Sequence, residues 1–223
     1  MIRLIIVCEG ETEKQFCDNL LAPHFFKKGI SLSAPLIKKT NGGICPWPVL
    51  KRQLIGHLHE GAYVTTFIDY YGIKDSMLFP KWAESKKVSN KTKRMHLLEK
   101  AMTEDLDSTL RQRFIPYLQL HEFEALLFCD IKAFTNEIPN DDIKDIKGLK
   151  KVLQDFPNPE LINDNIKTSP SHRLEQMISG YTKTLYGAVL AQATGLKTIR
   201  EKCPLFSEWL NALEILGKVP TTK

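Results

Sequence analysis

The sequence predicts an α/β fold, a parallel sheet flanked by helices over about residues 1–135, with a helical C-terminal lobe over about residues 136–223 packed on it. Three observations carry this. The runs "IRLIIVC" and "AYVTTFID" are near-continuous, apolar and β-branched, the type of strand buried on both faces of a parallel sheet. Each ends in an acid with a glycine close behind it, and the first passes directly into helical spacing. Past about residue 135 the pattern changes to helix fragments broken by prolines, then to a stretch that is helical throughout. There is no internal repeat and no low-complexity tract.

Taken in order, "IRLIIVC" is the first strand, and Gly10 supplies the turn after it with a residue that has no Cβ. "ETEKQFCDNLLAPHF" then sets Phe16, Leu20 and Leu21 at helical spacing. "SLSAPLI" reads as an edge-like strand, since Pro35 has no N–H to give a ladder. A helix within "GGICPWPVLKRQLIGHL" is expected to start after Pro48. "AYVTTFIDYYG" is a strand ending in Asp69, with Gly72 in the turn.

Residues 74–94, lysine-rich around Pro80 and Trp82, read as a long exposed excursion. Its stretch "KKVSNKTKR" (86–94) has no interleaved aromatic, so it reads as a mobile solvated loop first and as a nucleic-acid rail second. "KRMHLLEKAMTEDL" is a helix with Met95, Leu98 and Met102 on one face. "FIPYLQLHEFEALLF" reads as a third strand followed by a helix from near Glu122, and Pro204 suits the first turn of the last helix.

Composition bounds the function classes. At 223 residues with 43% hydrophobic and 26% charged, the chain is long enough for one full core, or for one core with an appended lobe. A formal charge of +5 permits a polyanionic partner without requiring one. No apolar run approaches the roughly 20 residues that span a bilayer, so no membrane association is expected. Glu9 stands where a signal peptide would still be apolar, which argues against export. The five cysteines (Cys8, Cys17, Cys45, Cys129, Cys203) contain no C-x-x-C pair, and reduced thiols in a cytoplasm fit them best. No P-loop is present, and strand-passage domains of a topoisomerase would not fit in this length.

The chemistry-bearing pattern is a set of carboxylates at the ends of three strands: Glu9, Asp69, and the pair Glu122 and Glu124. In open α/β sheets, ligands collect outside the carboxyl ends of the strands. Acids crowded there repel unless bases or a divalent cation hold them, and an all-oxygen donor set suits Mg²⁺ or Mn²⁺ rather than zinc. Such ions activate water and stabilise charge on a phosphodiester under attack. Any one of these acids alone is read more simply as a helix cap; Glu124 could point to solvent, and the neighbouring Glu13 is most simply a helix-dipole partner.

The segment "VCEGETE" resembles the first signature of Toprim domains, a glutamate directly followed by glycine after a strand, and "FIDYYG" resembles the second, aspartate-bearing one. Together "CEGETE", "DYYG", "IPYLQLHEFEALLF", "PELIND", "SPSHRL" and "GLKTIREKCPLFSEWL" resemble a bacterial Toprim-like family, domain-of-unknown-function family four-two-seven-six, over nearly the whole chain. That resemblance implies a Toprim-type Rossmannoid sheet, Mg²⁺ or Mn²⁺, and nuclease chemistry on DNA or RNA. It implies that Glu9 and Asp69 ligate the metal and take part in catalysis; from the third strand, Glu122 is expected to join both roles and Glu124 the ligation. Where the usual D-x-D pair has its second acid this chain has Tyr71, so one ligand of the standard cage is missing, and Glu122 is the expected substitute. A separately encoded ATPase partner, in a bacterial defence or repair module, is a further implication.

Cations for substrate phosphate are expected from the helical tail: Ser171 and Arg173 in "PSHRL", with His172 between them, and Lys183 in "GYTKTLYG". A surface charge on a helix explains each about as well. His121 is either a proton shuttle or a hydrogen-bonded strand-end histidine. The rival class is a non-catalytic module that binds nucleotide or RNA or regulates an ATPase, which Tyr71 favours. A phosphatase or nucleotide hydrolase shares the metal logic and differs in substrate.

Overall fold

The protein is described from a computed structural model, covering residues 1–38, 43–162 and 166–218. Asn163 and Asp164 of the "PELIND" segment lie outside the described residues. The chain divides into two compact units, one formed by Met1–Leu120 with Trp209–Lys223 and the other by His121–Glu208.

The first unit is built on a parallel sheet of β1 (Ile2–Cys8), β2 (Ile30–Ser33), β3 (Tyr63–Asp69), β4 (Phe114–Ile115) and β5 (Leu118–Gln119). The order is β2-β1-β3-β4, and β5 also pairs with β3. This is the α/β architecture expected from the two apolar runs. Leu4 to Cys8 and Val64 to Ile68 are all buried, as strands covered on both faces must be. From β1 the chain goes outward to β2, then returns past β1 to lay β3 on its other side. The direction of winding therefore reverses between β1 and β3, and this pair is the switch point of the sheet.

Two prolines shape the sheet's rims. β2 is an edge strand and stops at Ser33. Pro35 donates nothing, but its carbonyl accepts the Cys8 N–H (2.9 Å), and Ile37 N–H returns to Cys8 O (3.0 Å). The expected third strand is divided at Pro116 into β4 and β5. Thr66 spans the gap: its hydroxyl donates to Tyr117 O (2.8 Å) and accepts Tyr117 N–H (3.0 Å). A threonine in the middle of an apolar strand thus stands in for the ladder bond that proline removes.

Helix Glu11–Phe16 passes through a π turn, Cys17–Leu21, into Ala22–Phe26. Pro23 explains the widening, because its ring cannot continue an α ladder behind it. Helix Trp47–His59 starts one residue before Pro48, which takes a place in its first turn, and Leu50, Leu54 and Leu58 are fully buried. Helix Lys91–Glu104 is capped by the Asn90 side chain, and its expected face of Met95, Leu98 and Met102 is fully buried. The last helix, Pro204–Leu216, belongs to this unit from Trp209 onward. There the Trp209 indole N–H donates to the Thr65 hydroxyl (2.8 Å) and its ring stacks on Tyr117 at 4.4 Å.

The second unit is helical. It contains Ile131–Glu137, Ile146–Asp155, Pro170–Met177, Lys183–Thr194 and Leu196–Lys202 around a core that includes Phe134, Leu149, Leu174, Leu190 and Ile199. Gly180 (φ 62°) and Gly195 (φ 76°) interrupt what the sequence pattern reads as continuous helix, both in the left-handed region. The expected helix near Glu122 is one short 3₁₀ segment, Phe123–Leu127. Among the described residues no helix is long and apolar enough to cross a membrane.

Candidate functional site

Glu9 and Asp69 come together at the carboxyl ends of β1 and β3. Glu9 is the first residue beyond β1, held in line by a backbone bond to Phe67 O (3.1 Å), and Asp69 is the last residue of β3. One Glu9 carboxylate oxygen accepts the Asp69 backbone N–H at 2.9 Å. Both residues are half-buried, and Asp69 Oδ1 is shielded from solvent. Their position is the mouth of the switch point, where an open α/β sheet leaves a crevice between helices that depart to opposite faces.

The motif glycines serve the same acids. A Cβ at Gly72 would lie 3.2 Å from Glu9 Oε1 and 3.3 Å from the Ile44 side chain. Gly72 is therefore a close-approach glycine: the turn after β3 lies against the Glu9 carboxylate because nothing projects from it. Gly10 donates its N–H to Glu13 Oε2 at 3.0 Å, the reciprocal half of a capping box. Glu13 thus acts as a helix-start acid, and a Cβ at Gly10 would meet its carboxylate at 3.1 Å.

Glu122 and Glu124 lie in the second unit, each against that unit's own donors. Glu122 accepts the Ser171 N–H (2.9 Å) in the first turn of helix Pro170–Met177. Ser169, not Ser171, caps this helix, accepting the His172 N–H at 3.3 Å. Arg173 donates from Nε to Thr168 O (2.8 Å), and its guanidinium lies over Phe156 at 5.8 Å. Lys183 Nζ lies 3.0 Å from Glu124 Oε1. Glu124 is 1% exposed, and burial raises its pKa against the opposing pull of Lys183. The Tyr181 hydroxyl is also pushed up, by burial first and then by Glu124 and Glu122.

His121 opens the second unit in the left-handed region (φ 71°) and is 1% exposed. For a residue with a Cβ this conformation costs on the order of 1 kcal/mol.

Three features escape sequence reading. Glu160 is fully buried and accepts the Leu205 (3.0 Å) and Phe206 (2.8 Å) N–H groups at the start of the last helix. Burial lifts its pKa to about 7 against the pull of those donors. The cysteines, scattered in sequence, include two buried contacts, Cys8 with Cys17 (Sγ–Sγ 3.8 Å) and Cys129 with Cys203 (3.6 Å). Only the motif segments "PELIND" and "KCPLFSEWL" hinted at the first.

The donor set at the switch point bears on a metal. Mg²⁺ is commonly held by one or two carboxylates, with water and substrate phosphate completing its shell. Glu9 and Asp69 fit that mode. Among the described residues no group of three or more His, Cys, Asp and Glu side chains could hold a metal ion, so a cage of three protein acids is not found there.

A family model described as "Domain of unknown function (DUF4276)" matches residues 8–214. The chain belongs to the DUF4276 family. Glu9, Asp69 and the second unit's acids all fall within the matched span. No curated protein and no solved structure matches the chain.

Proposed function

We propose that this DUF4276 member is a Mg²⁺- or Mn²⁺-dependent nuclease of Toprim type, hydrolysing phosphodiesters of DNA or RNA. The observation that carries the reading is the pairing of Glu9 and Asp69 at the switch point of a parallel sheet, where ligands of such sheets bind. The metal, held by these two acids, would supply charge stabilisation and an activated water. The chain's own residues do the rest. Asp69 is fixed by the end of β3, and its N–H orients the Glu9 carboxylate. Glu9, held at one oxygen by the Asp69 N–H, has its other oxygen for the metal or, as general base, for the proton of the attacking water. Gly72 lets the turn after β3 lie against that carboxylate. Action with a separately encoded ATPase, in a defence or repair module, is part of this proposal.

The test is metal-dependent cleavage of labelled DNA and RNA, with and without the neighbouring ATPase. The wild type should cut with Mg²⁺ or Mn²⁺, whereas Glu9→Gln and Asp69→Asn should be folded and inactive. Retained cutting in either variant would overturn the assignment.

A second reading, a non-catalytic nucleotide- or RNA-binding or ATPase-regulating module, is favoured by one feature. Tyr71 stands where the D-x-D pattern has its second acid, and no third protein acid joins the pair among the described residues. A protein that binds RNA but neither binds Mn²⁺ nor cuts would establish it.

A further inference from the structure

The segment that follows Asp69 gives the proposed nuclease a substrate class. Residues 70–94 contain seven basic and two acidic side chains, a net charge of +5, which equals the formal charge of the whole chain. The rest of the chain is balanced. A concentration of this kind is the electrostatic footprint of a polyanion.

The segment is folded, including the stretch 86–94 that composition reads as a mobile loop. Phe79 is buried and lies 5.5 Å from Trp47. Asp75 accepts the Trp82 indole N–H (2.7 Å) and two bonds from Lys86 (2.8 Å each). Arg94 holds Val88 O through Nε (3.0 Å) and a terminal nitrogen (2.7 Å). Leu78 (φ 58°) and Lys81 (φ 55°) are both left-handed, and both are exposed. Strain of this kind persists only where surrounding contacts hold it, and it gathers at ligand-binding segments.

Aromatic rings run through this basic ground. Tyr71 is 47% exposed and meets Tyr70 edge-on at 5.7 Å. Tyr70 lies 5.3 Å from Trp82, and the Arg94 guanidinium sits over Tyr70 at 5.9 Å. Trp82 lines a hollow of about 350 Å³ with Leu78, Lys81 and Lys86. Lys74, Lys81, Lys87 and Lys93 are exposed along the segment. The exposed Tyr71 ring and the half-buried Trp82, set among lysines on a pre-ordered scaffold, are what non-specific single-strand binding requires. Bases stack on the rings, and the backbone follows the positive charge. A duplex keeps its bases stacked on each other and offers nothing to Tyr71.

We infer that residues 70–94 form a platform for single-stranded nucleic acid, with Tyr71 stacking a base two residues beyond Asp69 and the exposed lysines contacting phosphates. This rests on the nuclease reading for its biological sense, but the platform binds without metal. The aromatic side chain that replaces the second acid of the D-x-D pattern then has a use.

The experiment is fluorescence anisotropy in EDTA with labelled oligo-dT, oligo-rU and a duplex of equal length. Both single strands should bind more tightly than the duplex. Tyr71→Ala should weaken single-strand binding about 5- to 150-fold, the range for one base–aromatic stack, and Tyr71→Phe should restore it. The double variant Lys81→Gln/Lys87→Gln should lower the slope of log affinity against log salt by about 1.4. Duplex binding as tight as single-strand binding, an unchanged affinity in Tyr71→Ala, or no binding at low salt would each overturn the platform. A small aryl phosphodiester with Mn²⁺ separates the two proposals. Its hydrolysis without oligonucleotide binding keeps the nuclease and removes the platform. Binding in EDTA without any hydrolysis keeps the platform and removes the nuclease.

Discussion

Glu160→Gln probes the most unusual carboxylate in the second unit. Glu160 is fully buried and its pKa is lifted to about 7, against an ordinary 4.5, with burial the largest cause and Glu208 a minor one. Between these values the folded protein holds a proton that the unfolded chain has lost. Its contribution is therefore fully present below pH 4.5 and is lost as pH rises through 7. The difference of about 2.5 units corresponds to about 3 kcal/mol. Glutamine cannot ionise, but it presents an NH₂ to one of the two N–H groups of Leu205 and Phe206, leaving that donor unsatisfied at a cost of about 1–3 kcal/mol at every pH. Denaturant unfolding of both proteins at pH 5 and pH 8 reads the result. The variant should be weaker at pH 5, and between pH 5 and pH 8 the balance should move about 2.5 kcal/mol in its favour, closing or reversing the gap. A gap that is constant, or that widens with pH, would refute the reasoning.

Other consequences follow from single contacts. Gly72→Ala puts a methyl 3.2 Å from Glu9 Oε1 and 3.3 Å from Ile44, so metal-dependent cleavage should fall at least tenfold while overpacking costs about 1–3 kcal/mol of stability. Lys183→Met removes the ion-pair partner of buried Glu124. Because Lys183 is about half exposed, the loss at pH 8 should be about 1–2 kcal/mol, smaller at pH 5, and recovered in Lys183→Met/Glu124→Gln. Thr65→Val keeps the shape of β3 but strands the buried Trp209 N–H, at about 1–3 kcal/mol by denaturant titration.

Much of the sheet was legible because β-branched runs bounded by glycine leave few alternatives. β1 and β3 fall where "IRLIIVC" and "AYVTTFID" stand. Pro35 marks an edge in the sequence itself, whereas the pairing that survives the break at Pro116 is not legible there, because the Thr66 side chain that repairs the ladder is remote in sequence. That acids stand at strand ends was readable; that β1 and β3 are neighbours at a reversal of winding was not, since adjacency is a property of topology. The second unit was least legible. Glu122 meets Ser171, and Glu124 meets Lys183, across separations of 49 and 59 residues, and no local pattern announces such partners. The stretch 86–94 reads from composition as a mobile loop, whereas Lys91–Arg94 open a helix and Lys86 and Arg94 are tied to Asp75 and Val88, contacts that composition does not encode.

Direct Mn²⁺ titration, followed by electron paramagnetic resonance, tests the pairing of Glu9 and Asp69 without relying on any substrate. The wild type should bind Mn²⁺ stoichiometrically, and both Glu9→Gln and Asp69→Asn should lose at least tenfold in affinity with unchanged circular dichroism. Equal Mn²⁺ affinity in all three proteins would mean that the two acids at the switch point do not hold the ion, and the nuclease reading would fall with them.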